Sequence, residues 1–200
     1  MSPVSVNYWA EGPTDRAAAR KLIRVVGGEP GADYSIRSGA SPGKDFLDAR
    51  LRAFNEGAKW SPWLILRDTD GECAAQLVSR LLADQAPLMR FRLVVSSIEA
   101  WLMADRGRLA TFLGVRETSM VDEPELLPNA KQALLDLIRT SSQRRMRDAM
   151  LPDPRSGRRE GPDYASSLIE FINDEWDPES AARRAPSLGR ALIRLREIVG

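Results

Sequence analysis

The chain has 200 residues, 43% of them hydrophobic and 28% charged, which is the composition of a globular domain large enough to bury its own core. Its 29 basic and 28 acidic residues leave a net charge of +1, so overall charge predicts no class of partner. The absence of histidine excludes Ser-His-Asp and Cys-His catalysis and histidine-ligated zinc, and the single cysteine, Cys73, excludes iron–sulfur clusters, zinc ribbons and internal disulfides. Any chemistry must therefore use carboxylates, Lys, Arg, Ser or Tyr, or an oxygen-liking metal ion.

Strands and helices are predicted to alternate in the first half of the chain. Residues 4–9 are rich in strand formers, and the apolar spacing after Pro13 predicts a helix that ends at the Gly27–Gly28 pair. The predicted elements that follow are a weaker strand at 34–37, a helix at 45–57, a buried strand at 63–66, a helix after residue 71 and a strand at 91–95. This alternation is typical of a parallel sheet with crossover helices, so the predicted fold class is α/β.

The second half of the chain is predicted to be helical. Its helical segments are residues 98–103, 108–113, 130–138, 164–176 and 187–199, and a polar, basic stretch at 139–161 separates the third from the fourth. We therefore predict an α/β core over residues 1–100 and a helical C-terminal extension over residues 101–200. The extension is expected to pack on the core, so that the two parts form one unit.

The N-terminal segment and the apolar runs carry information about location. The opening sequence MSPVSVNYWAEG has neither a basic region nor a long apolar stretch, and no apolar run approaches the roughly 20 residues that span a bilayer. We therefore expect no signal peptide, no membrane partner and a cytoplasmic protein, which the low cysteine content also favours. Nothing in the sequence indicates an oligomeric state.

Carboxylates follow three of the four predicted strands, at the edge where open parallel sheets bind their ligands. The residues are Glu11 and Asp15 after the first strand, Asp68 and Asp70 after the third, and Glu99, with Ser97 nearby, after the fourth. Alternation along an extended segment would place the Asp-x-Asp pair on one side. Five acids brought together repel one another unless their pKa values rise or a cation neutralises them, and Mg²⁺ or Mn²⁺ suits oxygen ligands. Taken singly, Glu-Gly and Asp-Thr-Asp-Gly also fit ordinary turns.

These residues resemble the acidic site of the topoisomerase–primase (Toprim) domain. The resemblance covers roughly residues 3–100 and rests on Glu-Gly-Pro-Thr-Asp at residues 11–15 and Asp-Thr-Asp at 68–70. The Ser-x-Glu element at 97–99 and the downstream Lys131 extend it to the nuclease of the overcoming-lysogenization-defect family. Nearly the whole chain is also similar to the bacterial family called domain of unknown function 4276, through residues 98–105, 128–131 and 185–188.

The resemblance implies a Toprim-like Rossmannoid core of about four mainly parallel strands, together with roles for single residues. It implies that Glu11, Asp68 and Asp70 bind a metal ion, with Glu11 also acting as general acid or base. It further implies that Asp15, Ser97 and Glu99 help to hold a second ion, and that Lys131 contacts the phosphate near the transition state. The predicted catalytic residues are thus Glu11, Asp68, Asp70 and Lys131, although the helical context of Lys131 fits a solvated surface lysine equally well.

The predicted function is Mg²⁺- or Mn²⁺-dependent hydrolysis of phosphodiester bonds in DNA or RNA, since metal ions can supply the nucleophile and neutralise charge without histidine. The resemblance further implies bacterial defence against phage with a separately encoded ATPase, because the ATPase fused to that nuclease is not found in this sequence. One alternative is a non-catalytic Toprim-like module that binds metal or regulates a partner ATPase. Another is phosphoryl chemistry on a small nucleotide, which a narrow cleft lined by arginines would favour.

Two basic segments give weaker indications of nucleic-acid binding. Residues 39–44 lack the spacing of a phosphate-binding loop, and Asp45 stands where that motif needs Ser or Thr, which leaves either a nucleic-acid contact at Lys44 or a plain loop. Residues 139–159 carry seven arginines against two aspartates and predict either a phosphate-binding patch or a solvated linker. The candidate contacts in that patch are Arg144, Arg145, Arg158 and Arg159. Tyr164 is expected either in the core or facing the cleft.

Overall fold

The computed structural model describes residues 2–35 and 43–200. These ranges contain four β-strands and ten α-helices, in the order β1 (Ser5–Trp9), α1 (Pro13–Val25), β2 (Glu29–Asp33), α2 (Lys44–Gly57), β3 (Trp63–Asp68), α3 (Ala74–Leu82), β4 (Met89–Val94), α4 (Ile98–Met103), α5 (Arg106–Leu113), α6 (Ala130–Arg139), α7 (Arg144–Met150), α8 (Tyr164–Asp174), α9 (Pro178–Ala181) and α10 (Pro186–Val199). Two short 3₁₀ turns, Glu117–Ser119 and Pro124–Leu126, lie between α5 and α6. Within the described ranges, none of the helices has the length and apolar character needed to traverse a bilayer.

The four strands form one parallel sheet in the order β2-β1-β3-β4. Helices flank the sheet, so the predicted α/β class is confirmed, with an architecture like that of a Rossmann core. Parallel strands must be joined by crossovers, which here run through α1, α2 and α3. Because all four strands run the same way, their carboxyl ends lie at one edge of the sheet, and residues that follow them can meet there.

Alternation of side chains along each strand divides the interior into two layers. In β3, Leu64 and Leu66 pack in the core beside α1, whereas Trp63 and Ile65 pack in the core beside α2 and α3. All four side chains are nearly inaccessible to water. A strand that is apolar on both faces is buried between two layers of helices, which explains why this segment is an almost unbroken apolar run.

The C-terminal helices extend the core on the α1 side of the sheet. Helix α8 packs against α1, and α10 packs against β4. A hydrogen-bond chain joins α4, α10 and the second 3₁₀ turn: Trp101 Nε1 donates to Ser187 Oγ at 2.7 Å, and the Ser187 hydroxyl donates to Glu125 Oε1 at 2.6 Å. The backbone N–H of Ser187 also donates to Glu125, so the first turn of α10 is held to the 3₁₀ turn Pro124–Leu126.

Two predicted segments differ from the structure. The second strand lies at Glu29–Asp33 and not at 34–37: Tyr34 and Ser35 form a turn, while Ile36, Arg37 and most of the glycine-rich loop at 38–43 lie outside the described residues. Glu-Pro-Gly-Ala-Asp has weak strand propensity, and its pairing with β1 places it in the sheet. The basic stretch contains helix α7, in which Met146 and Met150 are buried. No sequence pattern indicated this helix, because the stretch has the polar composition of a linker.

Candidate active site

One cavity of about 510 Å³ lies at the carboxyl edge of the sheet. The structure brings Glu11 onto the same surface as Asp68 and Asp70, although these residues are far apart in the sequence. It also brings Ser97 and Lys131 to this cavity. The predicted residues that line it are Glu11, Asp15, Asp68, Asp70, Ser97, Glu99 and Lys131. Tyr164, for which the core and the cleft were both open, also lines it, and the lining residues that were not predicted include Ser96, Asn129 and Glu160.

Asp15 is held at the beginning of α1 by the backbone of Gly12. The Gly12 N–H donates to Asp15 Oδ2 at 3.2 Å, and Pro13 occupies the first helical turn, where its missing N–H costs nothing. A Cβ on residue 12 would stand 2.7 Å from Asp15 Oδ2, so any other residue here would displace the Asp15 carboxylate. Glu11, one residue earlier, is half-buried at the same cavity. The Glu-Gly-x-x-Asp segment is therefore both a helix start and a source of two carboxylates.

Asp68 and Asp70 reach the cavity by different routes. Asp68 is the last residue of β3, but Asp70 lies in a turn with φ of 50°, followed by Gly71 at φ of 83°. The expectation that strand alternation would align the two carboxylates is therefore wrong, since the segment is not extended beyond Asp68. The left-handed turn directs the exposed Asp70 to the cavity instead. There its Oδ2 forms an ion pair with Lys44 Nζ at 3.0 Å.

A buried arginine supports the end of β3 from behind the cavity. Arg67 forms a forked pair with Asp48 at 3.0 and 3.1 Å, and its Nη1 donates to the carbonyl oxygen of Asp68 at 2.8 Å. The carboxylate of Asp68 differs from its carbonyl oxygen. Its Oδ1 atom is buried and accepts no hydrogen bond from the described residues. A buried acceptor without a donor is rare and costs free energy, which marks this atom as a position for a bound donor or cation.

Glu99 is buried in the first turn of α4 and has two donors. Ser97 Oγ donates to Glu99 Oε2 at 2.6 Å, and the Tyr164 hydroxyl donates to Glu99 Oε1 at 3.1 Å. The two expectations for Tyr164 are therefore both met, since the side chain is buried and also lines the cavity. Burial, followed by the charge of Glu99, raises the pKa of Tyr164, so its hydroxyl stays protonated and donates.

The carboxylates perturb one another because they share a poorly hydrated site. Burial raises the pKa of Glu11, with repulsion from Asp70 as the next cause. Burial and repulsion from Glu99 raise the pKa of Asp15 to about 6, and burial and repulsion from Asp15 raise that of Asp68 well above its usual value. In all three groups burial is the larger cause and repulsion between the acids adds to it, and carboxylates perturbed in this way are common at functional sites.

Lys131 lies at the cavity and makes specific contacts that an isolated surface lysine lacks. Its Nζ forms a 2.6 Å ion pair with Glu160 Oε2 and stands 5.1 Å from the centre of the Tyr164 ring. The side chain is still 43% exposed and lines the cavity. Glu160 had no signal in the sequence, because it follows a run of arginines in a stretch that resembles a linker.

The four arginines predicted to bind nucleic acid lie elsewhere. Arg144, Arg145, Arg158 and Arg159 are exposed, and none of them belongs to the described residues that line the acidic cavity. Arg144 pairs with Asp148 one turn along α7 at 3.3 Å, as a solvated helix surface does. Lys44, from the other weak segment, does reach the acidic cluster, through its ion pair with Asp70.

The donor chemistry fits a hard divalent cation, since the cavity offers carboxylate oxygens, a hydroxyl and one buried acceptor without a partner. The side chains do not form a ready ligand set, however: among residues 2–35 and 43–200, no three His, Cys, Asp or Glu side chains are grouped closely enough to hold one ion. Ion binding would therefore require side chains to rotate inward. No family model, no curated protein and no solved structure matches this chain.

Proposed function

We propose that this protein is a Mg²⁺- or Mn²⁺-dependent phosphodiesterase that cleaves DNA or RNA in the cytoplasm. The observation that carries the proposal is the cavity at the carboxyl edge of the sheet, where five carboxylates from three strand ends meet with too little cationic compensation. A purely structural cluster of this kind would be expected to contain more paired charges. The same spacing of residues supports the Toprim-like identity and, with it, a role in phage defence beside a separate ATPase.

In this proposal, Glu11, Asp68 and Asp70 hold the first ion, while Asp15, Ser97 and Glu99 help to hold a second. When bound, the ions supply a nucleophilic water and neutralise the leaving oxygen. The chain itself supplies orientation. Two hydrogen bonds, from Ser97 and Tyr164, keep the Glu99 carboxylate turned into the site. The Gly12 N–H does the same for Asp15.

The two lysines are proposed to meet the substrate's negative charge. Lys131 is placed to contact a non-bridging phosphate oxygen once its ammonium group leaves Glu160. Lys44 pairs with Asp70 at the rim of the cluster, so its ammonium group is placed to contact the phosphate backbone of a strand that enters the cavity. Both steps replace an existing ion pair at the surface, where such pairs contribute about 0–1 kcal/mol.

A second candidate is a non-catalytic module that binds metal or regulates a partner ATPase. The observation in its favour is that the carboxylates of the described residues do not stand as a finished ligand set. A partner that reshapes the cavity would then be needed for any activity. Small-nucleotide chemistry has less support, because no arginine is found among the described residues that line the cavity.

The experiment is an incubation of the purified chain with plasmid DNA and with RNA, in Mg²⁺, Mn²⁺ or EDTA. The test variant is Asp68→Asn, which removes one charge without changing the size of the side chain. The matched control is Asp84→Asn, an exposed aspartate outside the cavity. We expect cleavage by the natural protein and by Asp84→Asn in Mg²⁺ or Mn²⁺, and loss of cleavage in EDTA and in Asp68→Asn.

Cleavage that persists in EDTA or in Asp68→Asn would overturn the proposed mechanism. If no condition gives cleavage, calorimetric titration with Mn²⁺ separates the two candidates. Binding of Mn²⁺ that Asp68→Asn abolishes would support the metal-binding module. A protein that neither cleaves nor binds the ion would refute both assignments of the cavity.

A further inference from the structure

A second cavity, of about 420 Å³, lies along the free edge of the sheet. It is bounded by α3, by the outer side of β4 and by α10, and we call it the β4 groove. The residues that line it are Ala74, Ala75, Val78, Gln85, Phe91, Arg92, Leu93, Val95, Ser187 and Arg190. Strand β4 is the last in the sheet order, so only its inner side pairs with another strand. Its outer backbone groups therefore face this groove.

Side chains cap the outer backbone N–H groups of β4 at two places. Gln85 Oε1 accepts from the Phe91 N–H at 3.1 Å, and Ser187 Oγ accepts from the Val95 N–H at 3.4 Å. Backbone groups two residues apart in a strand point the same way, so the N–H of Leu93 also points into the groove. No side chain among the described residues accepts a hydrogen bond from Leu93, which leaves one donor available between the two caps.

Two arginines beside that donor have no partners. In the described part of the chain, neither Arg92 nor Arg190 forms a hydrogen bond or an ion pair, and the Nε atom of Arg92 is buried without an acceptor. Their neighbours behave differently, because Arg90 and Arg194 both pair with Glu197, at 3.4 and 2.8 Å. Burial, followed by repulsion from Arg190, lowers the pKa of Arg92, and the nearby Glu197, which pairs with Arg90 and Arg194, only partly offsets this repulsion.

Keeping other chains from pairing with the outer side of β4 explains only part of the placement of Arg92 and Arg190. Charged side chains on an edge strand discourage pairing with other chains, but their charged groups then project into water. The Arg92 Nε is withdrawn from water, and an unpaired buried donor on a charged group costs free energy. An anion in the groove would lie beside Arg92, Leu93 and Arg190, all of which line it.

The β4 groove adjoins the acidic cavity at the end of the same strand. Val95 lines the groove, and the next residue, Ser96, lines the cavity. The cavity by itself repels a polyanion, since six carboxylates line it, Glu160 included, and the two lysines at the cluster, Lys44 and Lys131, already have acidic partners. A nucleic acid that reaches the cavity therefore needs positive charge beside it, and the two unpaired arginines are placed to supply that charge.

We propose that the β4 groove binds a backbone phosphate of a nucleic-acid strand whose neighbouring phosphodiester enters the acidic cavity. The choice of a nucleic acid rests on the proposed function, whereas the anion site itself rests on the groove. Arg92, Arg190 and the Leu93 N–H donate to the phosphate oxygens, which the forked guanidinium geometry suits. The groove contributes affinity and not sequence preference, because its donors contact the backbone.

The test measures binding of a fluorescent single-stranded oligonucleotide by anisotropy in EDTA, where cleavage cannot interfere. The variants are Arg190→Gln, at an exposed helix position, and the double variant Arg92→Gln/Arg190→Gln. The control is Arg196→Gln on the same helix, whose partner is Glu179 outside the groove. We expect each lost charge-assisted contact to weaken binding roughly tenfold. The slope of log K against log salt should fall by about 0.7 per lost phosphate contact.

Equal affinity and an equal salt slope for the double variant and the control would overturn the proposal. So would protein that binds inorganic phosphate in the groove but no oligonucleotide. Thermal melting checks folding, and Arg190→Gln alone decides the matter if the double variant is unstable. The proposed function fails separately: loss of oligonucleotide binding in the variants, with no cleavage by the natural protein in Mg²⁺ or Mn²⁺, would support the groove and refute the phosphodiesterase.

Discussion

Replacing Asp15 by asparagine tests whether the acidic cavity is short of positive charge. Asparagine keeps the size of the side chain and an oxygen that can accept the 3.2 Å hydrogen bond from the Gly12 N–H. It cannot ionise, so it resembles the protonated form of the natural residue. The substitution therefore removes one charge from the cluster while leaving the start of α1 intact, and its effect on stability reports the cost of that charge.

The size of the effect follows from the pKa of Asp15, which burial and the charge of Glu99 raise from 3.8 to about 6. Because the folded-state pKa lies above the unfolded value, the folded protein holds more protons between these pH values, and its free energy of unfolding falls as pH rises through this window. A shift of about two pKa units corresponds to about 3 kcal/mol. With the neighbouring acids coupled to Asp15, we expect Asp15→Asn to be more stable than the natural protein by about 2 kcal/mol at pH 7.5, or about 4–8 °C in Tm.

The assay is thermal unfolding followed by circular dichroism at pH 4.0 and pH 7.5, in EDTA and in Mg²⁺. The advantage of Asp15→Asn should be present at pH 7.5 in EDTA and should shrink toward pH 4.0, where the natural carboxyl is also largely protonated. The natural protein should regain stability in Mg²⁺, by about 2.7 kcal/mol at one hundred times the dissociation constant. The control, Asp84→Asn, exchanges an exposed carboxylate outside the cavity and should show none of this dependence.

An Asp15→Asn protein less stable than the natural one at pH 7.5 in EDTA would refute the reasoning, because the charge would then be stabilising. A gain of the same size at both pH values would also refute it. That result would indicate an effect of the amide group and not of ionisation.

Three further substitutions test separate parts of the structure. Gly161→Ala should lower stability by about 1–3 kcal/mol in urea denaturation, because its Cβ would collide with the backbone carbonyl oxygen of Ala149. Tyr164→Phe should cost about 1–3 kcal/mol and weaken Mn²⁺ binding in calorimetry, because Glu99 loses a buried donor. Lys131→Met should lower the rate of phosphodiester cleavage by about 10²–10³-fold with little change in Mn²⁺ affinity, because it is proposed to meet charge on the phosphate.

Each of these three substitutions has a matched control of the same residue type at another position. Gly189→Ala, inside α10 with room for a Cβ, should gain up to about 1 kcal/mol, and an equal loss at both glycines would contradict the steric argument. Tyr8→Phe loses only a 3.4 Å contact from Arg20 and should leave Mn²⁺ binding unchanged. Lys59→Met removes an exposed lysine outside the cavity, and a comparable loss of cleavage there would argue against a specific role for Lys131.

The position of the acidic residues could be predicted because strand ends are local features of the sequence. An apolar run such as Trp63–Asp68 indicates a buried parallel strand, and the acid that ends it must then lie at the ligand-binding edge. The same argument placed Glu11 and Glu99, each a few residues beyond a strand. The prediction was right about the edge but not about the turn at Asp70, whose left-handed backbone depends on the residues that follow β3.

The contacts that the sequence did not reveal are made by residues of the helical C-terminal half. Tyr164, Glu160 and Lys131 lie in or beside segments whose patterns resemble core, linker and solvated helix. Their contacts in the cavity span many residues of sequence, as the hydrogen bond from Tyr164 to Glu99 illustrates. Periodicity describes one element at a time, so it cannot state which face of a distant helix will cover a given strand end.

By itself, the amino-acid sequence determined the parallel α/β class and the presence of acids after three strands, because apolar periodicity and strand-end chemistry are written in consecutive residues. Only the tertiary structure decided that these acids share one cavity and that, among the described residues, an oxygen of Asp68 has no donor and the arginines at positions 92 and 190 have no partners. Pairing and burial are properties of side chains brought together from distant segments. They depend on how helices pack on the sheet, and that packing is set by the whole core at once.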